Sequence, residues 1–362
     1  MDLTACYSFG GPIAKVFFSP RGNQLLILAA DKNHNAVLTL QDQELIPAYT
    51  FGNPSDPRLF DAAFHPSLPL LATAGAERMI EIHDSATGQK LRELGTPPAA
   101  DTQPGYTSLA FDARGERLFA ARWGSEGTDV FNFSDGRLAF TYWGRGSMDT
   151  LALHPEAQLM ANTLFEQGAC AVRFLHLDRE NLVPLNVELE NFMDTPHLAW
   201  SPDGAYLAAL GGFPGPEVCV FRFPECEQVL EWYGEDDVPP PAQPWTLSHH
   251  TPLVAQQAFS ADGTTLWCPG ASGNLVAVDL GSGQVARRVP AHREAVCAIQ
   301  AHHASGRMAS AGRDGRVCLW KTPKNEPVTA DLKASRTQGF LARARPTTPF
   351  PRQEDLAVIE AP

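Results

Sequence analysis

The sequence has no apolar stretch long enough to cross a membrane. A membrane-spanning helix needs roughly 18 or more predominantly apolar residues, and no run in the 362-residue chain approaches that length. The first six residues include an early acid and no apolar core, so we expect no signal peptide. The chain also lacks long stretches with an apolar period of about 3.6 residues, which argues against a helical fold.

Basic residues are scarce relative to acidic ones. The chain has 28 Lys and Arg against 41 Asp and Glu, for a formal net charge of −13. Nucleic acids and anionic membranes are bound by clustered Lys and Arg that neutralise phosphate. We therefore expect neither a direct nucleic-acid partner nor a membrane partner. A nucleic-acid-associated role would require four arginines to share one face, namely Arg122, Arg145, Arg293 and Arg313.

Closely spaced cysteines and catalytic motifs are also missing. The seven cysteines are an odd number without the spacing of a zinc motif. Most lie in apolar segments, where a free thiol behaves as a small hydrophobic group, so we expect a reducing, cytoplasmic compartment and no bound metal. The sequence contains no Gly-x-Ser-x-Gly elbow, His-Glu-x-x-His pair or phosphate-binding glycine loop. We predict no catalytic residue and no cofactor.

What the chain does contain is a short pattern that returns seven times. Each copy has an apolar end, then Ser, His or Asp, and then Pro or Ala, as in Leu198 to Gly204. Successive copies of this landmark turn lie 42 to 59 residues apart. A period of about 40–45 residues is typical of propeller blades, small sheets that need their neighbours for stability. The landmark positions are Ser19, His65, Asp112, His154, Ser201, Ser260 and His303.

These repeats predict an all-β, seven-bladed β-propeller over residues 1–321. In each unit, a short apolar strand a precedes the landmark turn, and strands b, c and d follow it, separated by Gly-, Asp- and Asn-rich turns. The seventh unit lacks its own strand d, because residues 322–327 include two prolines. Residues 3–9 are strand-like and unassigned, so we predict that this N-terminal strand closes the last blade and leaves no open sheet edge.

Two segments fall outside this pattern. Residues 322–362 are rich in Pro, Thr, Ala and Arg without apolar periodicity, which predicts a flexible C-terminal tail. Residues 234–247 form an insertion that begins with acids, continues through Pro239-Pro240-Pro241 and ends near Trp245. Such a segment is stiff, and Trp245 either anchors it to its own blade or contacts a partner.

The last repeat resembles a blade of the WD-repeat family. It contains Ala291-His292, then Ser310-Ala311-Gly312-Arg313-Asp314-Gly315, and ends in Cys318-Leu319-Trp320-Lys321. The other repeats keep the landmark turn and lose part of this set. The resemblance implies a rigid platform for protein partners, in which four side chains form a structural, hydrogen-bonded tetrad: His292, Ser310, Asp314 and Trp320.

The sequence also predicts a partner-binding surface. In a propeller, the b–c turns and d–a loops gather on one face, and several large residues fall there on blades 3 to 5. Trp and Arg are frequent interface hot spots. The alternative for Trp123 and Trp143 is packing between blades. The predicted surface comprises Arg122, Trp123, Trp143, Arg145, Phe165, Phe213 and Trp245.

From these residues we predict a non-catalytic protein-interaction platform, a scaffold subunit of a larger assembly. The alternative is a propeller enzyme, or a binder of a small ligand or metal, that uses the mouth of the central channel. Three or more His, Asp or Glu converging at that mouth would favour the alternative.

Overall fold

The computed structural model describes residues 1–322 apart from 12 gaps, of which the one at the insertion is the longest. The residues outside the description are 32, 53–54, 56–58, 76–78, 96–104, 123–126, 144–149, 167–168, 179–181, 193–196, 212–216, 234–254 and 323–362. Within the described residues, 28 strands form seven four-stranded sheets. The predicted seven-bladed propeller is confirmed.

The first three blades follow one another along the chain, each as an antiparallel meander whose strands a to d pair in order. Blade 1 contains β2 (Ile13–Phe18), β3 (Gln24–Ala29), β4 (Asn35–Gln41) and β5 (Glu44–Phe51). Blade 2 contains β6 (Leu59–Phe64), β7 (Leu70–Gly75), β8 (Met79–Asp84) and β9 (Lys90–Gly95). Blade 3 contains β10 (Tyr106–Phe111), β11 (Arg117–Arg122), β12 (Gly127–Asn132) and β13 (Leu138–Trp143).

Blades 4 to 6 repeat the same order with more variable strand lengths. Blade 4 contains β14 (Leu151–Leu153), β15 (Leu159–Glu166), β16 (Ala169–Leu177) and β17 (Leu182–Phe192). Blade 5 contains β18 (His197–Trp200), β19 (Tyr206–Gly211), β20 (Glu217–Arg222) and β21 (Glu227–Tyr233). Blade 6 contains β22 (Ala258–Phe259), β23 (Thr265–Pro269), β24 (Asn274–Asp279) and β25 (Val285–Pro290).

The last blade is built from both ends of the described chain. Its strands a to c are β26 (Val296–His302), β27 (Arg307–Gly312) and β28 (Arg316–Lys321), and its outer strand is β1 (Asp2–Ser8). β1 pairs with β28 in antiparallel register. The predicted closure by the N-terminal strand is therefore confirmed, and every blade has four strands.

The core lies between adjacent blades rather than inside any one sheet. Strand b is apolar along almost its whole length because both of its faces are covered, and in β7 only Leu70 is more than slightly accessible. One cluster joins blades 2 and 3 through residues such as Ile82 and Leu118. Another joins blades 4 and 5 through Phe174 and Phe221. Each sheet thus depends on its neighbours for burial, as expected for a repeat fold.

Candidate functional site

The structure describes only part of the predicted partner-binding surface. Arg122 ends β11 and Trp143 ends β13, at the same end of blade 3. Phe165 lies in the part of β15 where only the backbone is described. The insertion and the C-terminal tail lie outside the described residues. So do four residues of the predicted surface: Trp123, Arg145, Phe213 and Trp245.

The Arg122 side chain is buried and pairs with an acidic residue of its own blade. It is 8% exposed. Its Nε donates to Asp129 Oδ2 at 3.0 Å and its Nη2 donates to Asp129 Oδ1 at 2.5 Å, which is the two-point geometry of a strong Arg–carboxylate pair. Asp129 also accepts from Tyr106 Oη at 2.6 Å and from Thr141 Oγ1 at 2.6 Å. The charge of Arg122 is therefore neutralised inside blade 3, and a role in partner binding stays a prediction.

The Trp143 side chain packs against Arg122 and is also partly exposed to solvent. The guanidinium carbon of Arg122 lies 4.7 Å from the centre of the Trp143 ring, within the range of a cation–π contact. The residue is nevertheless 39% exposed, and among the described residues it is the one aromatic in the set of exposed large hydrophobic side chains. Because Asp129 fixes the guanidinium beneath it, the indole is held in place while part of it faces solvent.

Asp129, the residue that holds Arg122 in place beneath Trp143, was not predicted from the sequence. Asp129 is a buried acid in the middle of strand β12, followed by the apolar residues Val130 and Phe131. A buried charge in an apolar strand needs a partner, and that signal was available in the sequence. The identity of the partners was not, since Tyr106 and Thr141 come from strands a and d of the blade.

The four predicted tetrad residues form a continuous chain of hydrogen bonds in blade 7. Ser310 Oγ accepts from Trp320 Nε1 at 2.9 Å and lies 2.9 Å from His292 Nε2. His292 Nδ1 lies 3.0 Å from Asp314 Oδ1, while Asp314 Oδ2 accepts from the backbone N–H of Arg293. Burial lowers the pKa of His292, and the Asp314 carboxylate opposes that shift. The set holds the d–a loop against strands b and c, which is a structural task.

Two other blades retain fragments of this arrangement. In blade 2, Thr73 and His83 occupy the positions of Ser310 and Trp320 in the strand register, and Thr73 Oγ1 lies 3.2 Å from His83 Nε2. In blade 4, Asn162 occupies the serine position and is fully buried, and among the described residues neither of its side-chain polar atoms has a hydrogen-bond partner.

Polar side chains join the first strands of different blades. Lys15 Nζ of blade 1 lies 2.9 Å from Asp61 Oδ1 of blade 2, and both side chains are buried. Asp61 Oδ2 in turn accepts from the backbone N–H of Leu109 in blade 3 at 2.7 Å. Gln256, just before β22, accepts from the backbone N–H of Val16 at 3.0 Å. These polar groups use one another as partners and join the inner strands of separate blades.

The landmark histidines join neighbouring blades. His154 Nδ1 accepts from the backbone N–H groups of Glu156 and Ala157, so its Nε2 carries the proton and donates to Gly204 O in blade 5 at 3.3 Å. His65 makes the same bonds, with Nε2 donating to Gly115 O in blade 3 at 3.1 Å. A Cβ at Gly115 would lie 2.2 Å from His65 Nε2, so only glycine fits there.

In blade 7 the equivalent residue is His302, not His303. The sequence alignment of the landmark turns placed His303 at this position, and that assignment is wrong. His302 pairs with Arg307 at the turn, and its Nε2 lies 2.9 Å from Pro20 O of blade 1. His303 begins a single-turn 3₁₀ helix, His303–Ser305, which displaces the pattern by one residue.

Acid should weaken the fold through His154. Burial lowers the pKa of His154 to about 4, against about 6.5 in an unfolded chain. As the pH falls below about 6.5, the unfolded state takes up this proton first. The contribution of His154 to stability is therefore complete above about pH 6.5 and declines toward pH 4, a loss of about 3 kcal/mol at about 1.36 kcal/mol per pKa unit.

The test compares urea unfolding at pH 7.5 and pH 5 for the wild type and for His154→Ser, which installs the residue that blade 5 carries at its landmark turn. We expect the variant to lose less stability on acidification than the wild type. His34→Ser removes an exposed histidine, retains His154 and serves as the control. Equal pH dependence in wild type and His154→Ser would show that His154 does not act in this way.

In the part of the chain that the structure describes, no group of three or more His, Cys, Asp or Glu side chains is placed to hold a metal ion. Nor does the described portion include a helix of the length and apolar character needed to cross a membrane.

Comparison with known families agrees with the geometry of blade 7. Residues 283–321 match the WD40 family, described as WD domain, G-beta repeat. This segment covers strand d of blade 6, strands a to c of blade 7 and all four tetrad residues. No curated protein matches the sequence significantly. The chain is thus a seven-bladed β-propeller by fold, and its last blade carries a repeat similar to the WD40 family, with no subfamily assigned. Propellers of this family commonly serve as protein-interaction platforms.

Proposed function

We propose that this protein is a non-catalytic interaction platform in the cytoplasm, where it holds a partner protein as a scaffold subunit of a larger assembly. The observation that carries the proposal is the exposed, supported indole of Trp143 at the loop end of blade 3. Aromatic side chains that are fixed before binding lose little conformational entropy when a partner covers them.

The surroundings of Trp143 support a protein partner rather than a charged ligand. Arg122 already has its charge paired with Asp129, so it offers no free cation to phosphate. What remains accessible is the aromatic ring, and tryptophans of this kind are the commonest hot spots of protein interfaces. The acidic character of the chain, at −13, also disfavours a nucleic-acid surface.

The test is affinity purification of tagged full-length variants at physiological salt, with quantitative mass spectrometry of the proteins that co-elute. We expect Trp143→Ala to lose a stoichiometric partner that the wild type retains, since removal of a hot spot weakens binding by about 2 kcal/mol or more, roughly 30-fold. Leu138→Ala is the matched control, because Leu138 is 49% exposed on the same strand but lies at its other end.

Both variants should keep the melting temperature of the wild type within a few degrees, which separates lost binding from lost folding. Equal recovery of the partner by Trp143→Ala and Leu138→Ala would remove this tryptophan from the interface. Absence of any stoichiometric partner for the wild type would contradict the platform itself.

A further inference from the structure

The closure of the ring brings two distant cysteines into contact. Cys6 on β1 and Cys318 on β28 are directly opposite in the strand register. Their Sγ atoms lie 2.6 Å apart, although the residues are separated by 312 positions in sequence. Both are free thiols in the structure.

The backbone geometry suits a covalent bond between them. Phe9 continues the register of β1 and donates its N–H to Gly315 O at 2.7 Å. Hydrogen-bonded and non-hydrogen-bonded pairs alternate along an antiparallel ladder, so Cys6 and Cys318 form a non-hydrogen-bonded pair, in which the Cα atoms are about 4.5 Å apart and the side chains are closer. A disulfide spans Cα separations of roughly 4.4–6.8 Å, and no strand has to move to form it.

The two thiols differ in access and in acidity. Cys6 is exposed, whereas Cys318 is buried. The hydrogen bond from the Cys318 thiol, together with the charge of Arg316, lowers the pKa of Cys6. The same hydrogen bond and burial raise the pKa of Cys318. Cys6 is therefore the thiolate that meets an external reagent, and Cys318 is the neighbour placed to react second.

The other described cysteines lack this combination. Cys219, Cys268 and Cys297 are buried, and burial raises the pKa of Cys297 to about 12. Cys226 is only partly accessible, and burial raises its pKa to about 12 as well. Thiol reactivity follows the thiolate and its exposure, so reagents should select Cys6 among the described cysteines.

We propose that Cys6 and Cys318 form a redox modification site, in which a low-molecular-weight disulfide oxidises the pair to a cross-strand disulfide that fastens β1 to blade 7. In the first step the Cys6 thiolate attacks the reagent, forms a mixed disulfide and releases one reagent thiolate. In the second step the Cys318 sulfur attacks the Cys6 sulfur, and the second reagent thiolate leaves with the Cys318 proton. Two protein thiols and one reagent disulfide thus become one protein disulfide and two reagent thiols.

The bond would act where the two ends of the described chain meet. The closure strand is held to blade 7 by pairing with β28, and it is the one strand of the described blades that comes from the opposite end of the chain. A disulfide there closes nearly the whole propeller into a covalent loop, which restricts the unfolded chain strongly. Oxidation should therefore stabilise the fold, and reduction should remove that added stability.

The experiment incubates full-length protein with mixtures of oxidised and reduced glutathione and measures three quantities: intact mass, the cysteine peptides after non-reducing digestion, and the melting temperature. We expect the wild type to lose two hydrogen atoms, to yield a peptide that links Cys6 to Cys318, and to melt higher by about 5 °C or more. An excess of reduced glutathione should reverse all three changes.

Two variants test whether the disulfide and the rise in melting temperature depend on Cys6. Cys6→Ser, at an exposed position, should fold as the wild type does and show neither the link nor the rise in melting temperature. Cys297→Ala removes a buried cysteine elsewhere in blade 7 and should respond as the wild type does. The proposal is overturned if Cys6 retains glutathione without forming the link, if a different pair of cysteines is joined, or if the Cys6→Ser variant is stabilised to the same extent.

Discussion

Deletion of residues 1–10 should lower the free energy of unfolding by about 5 kcal/mol. The deletion removes β1, and with it the ladder to β28 and the hydrogen bond from Thr4 Oγ1 to Leu319 O at 3.0 Å. Each lost backbone hydrogen bond costs about 1 kcal/mol net. The apolar parts of Tyr7 and Phe9, which pack on the cluster between blades 7 and 1, are lost as well. Urea unfolding followed by circular dichroism measures the change.

Two variants complete this experiment. Ser8→Ala changes an exposed side chain of β1 while keeping its backbone, so we expect a change within about 0.5 kcal/mol. If the deleted protein does not fold at all, Tyr7→Pro tests the same contact more gently, because it retains the segment and removes one donor of the ladder. A deletion variant with the unfolding midpoint of the wild type would refute closure as a source of stability.

Lys15→Met should cost about 3–5 kcal/mol of stability, although methionine fills much of the same volume. The substitution leaves the buried Asp61 carboxylate without its 2.9 Å partner, and breaking a buried ion pair from one side is far more damaging than losing an exposed one. Denaturant unfolding at neutral pH measures this effect.

The chain offers a matched control and a rescue for this variant. Lys90 also pairs with acids, including Glu81 at 2.7 Å, but its side chain is 45% exposed, so Lys90→Met should cost about 1 kcal/mol or less. Adding Asp61→Asn to Lys15→Met removes the unpaired charge and keeps an oxygen for the Leu109 N–H, so the double variant should be more stable than Lys15→Met alone. If Lys15→Met and Lys90→Met lowered the free energy of unfolding equally, the buried Lys15–Asp61 pair would have no special importance for stability.

Much of the fold follows from local patterns. The predicted strands b of blades 2, 5 and 7 coincide with Leu70–Gly75, Tyr206–Gly211 and Arg307–Gly312. This agreement has a physical origin: a strand buried on both faces must be apolar throughout, and the turns that bound it need Gly, Asp or Asn. Where a turn is irregular, as at His303–Ser305, the predicted landmark position is wrong by one residue.

Less of the candidate site than of the fold could be predicted from the sequence. Arg122 and Trp143 were selected for their residue types and their positions at strand ends, and nothing in those two features distinguishes a buried arginine from an exposed one. The distinction comes from Asp129, which binds the buried guanidinium of Arg122, whereas the indole of Trp143 is partly open to solvent. Residue types in the sequence indicated that this end of blade 3 could bind a partner. The ion pair between Arg122 and Asp129 decided that the arginine is buried there and the Trp143 indole is accessible.

The sequence by itself determined the number of blades, the order of their strands and the use of the N-terminal strand for closure, because each of these depends on the apolar pattern and turn chemistry of a few neighbouring residues. Only the tertiary structure decided which polar groups meet: Lys15 with Asp61, His154 with Gly204, and Cys6 with Cys318. Those contacts join residues from different blades or opposite ends of the chain. Their formation depends on the packing of complete blades around the ring, which no local stretch of sequence contains.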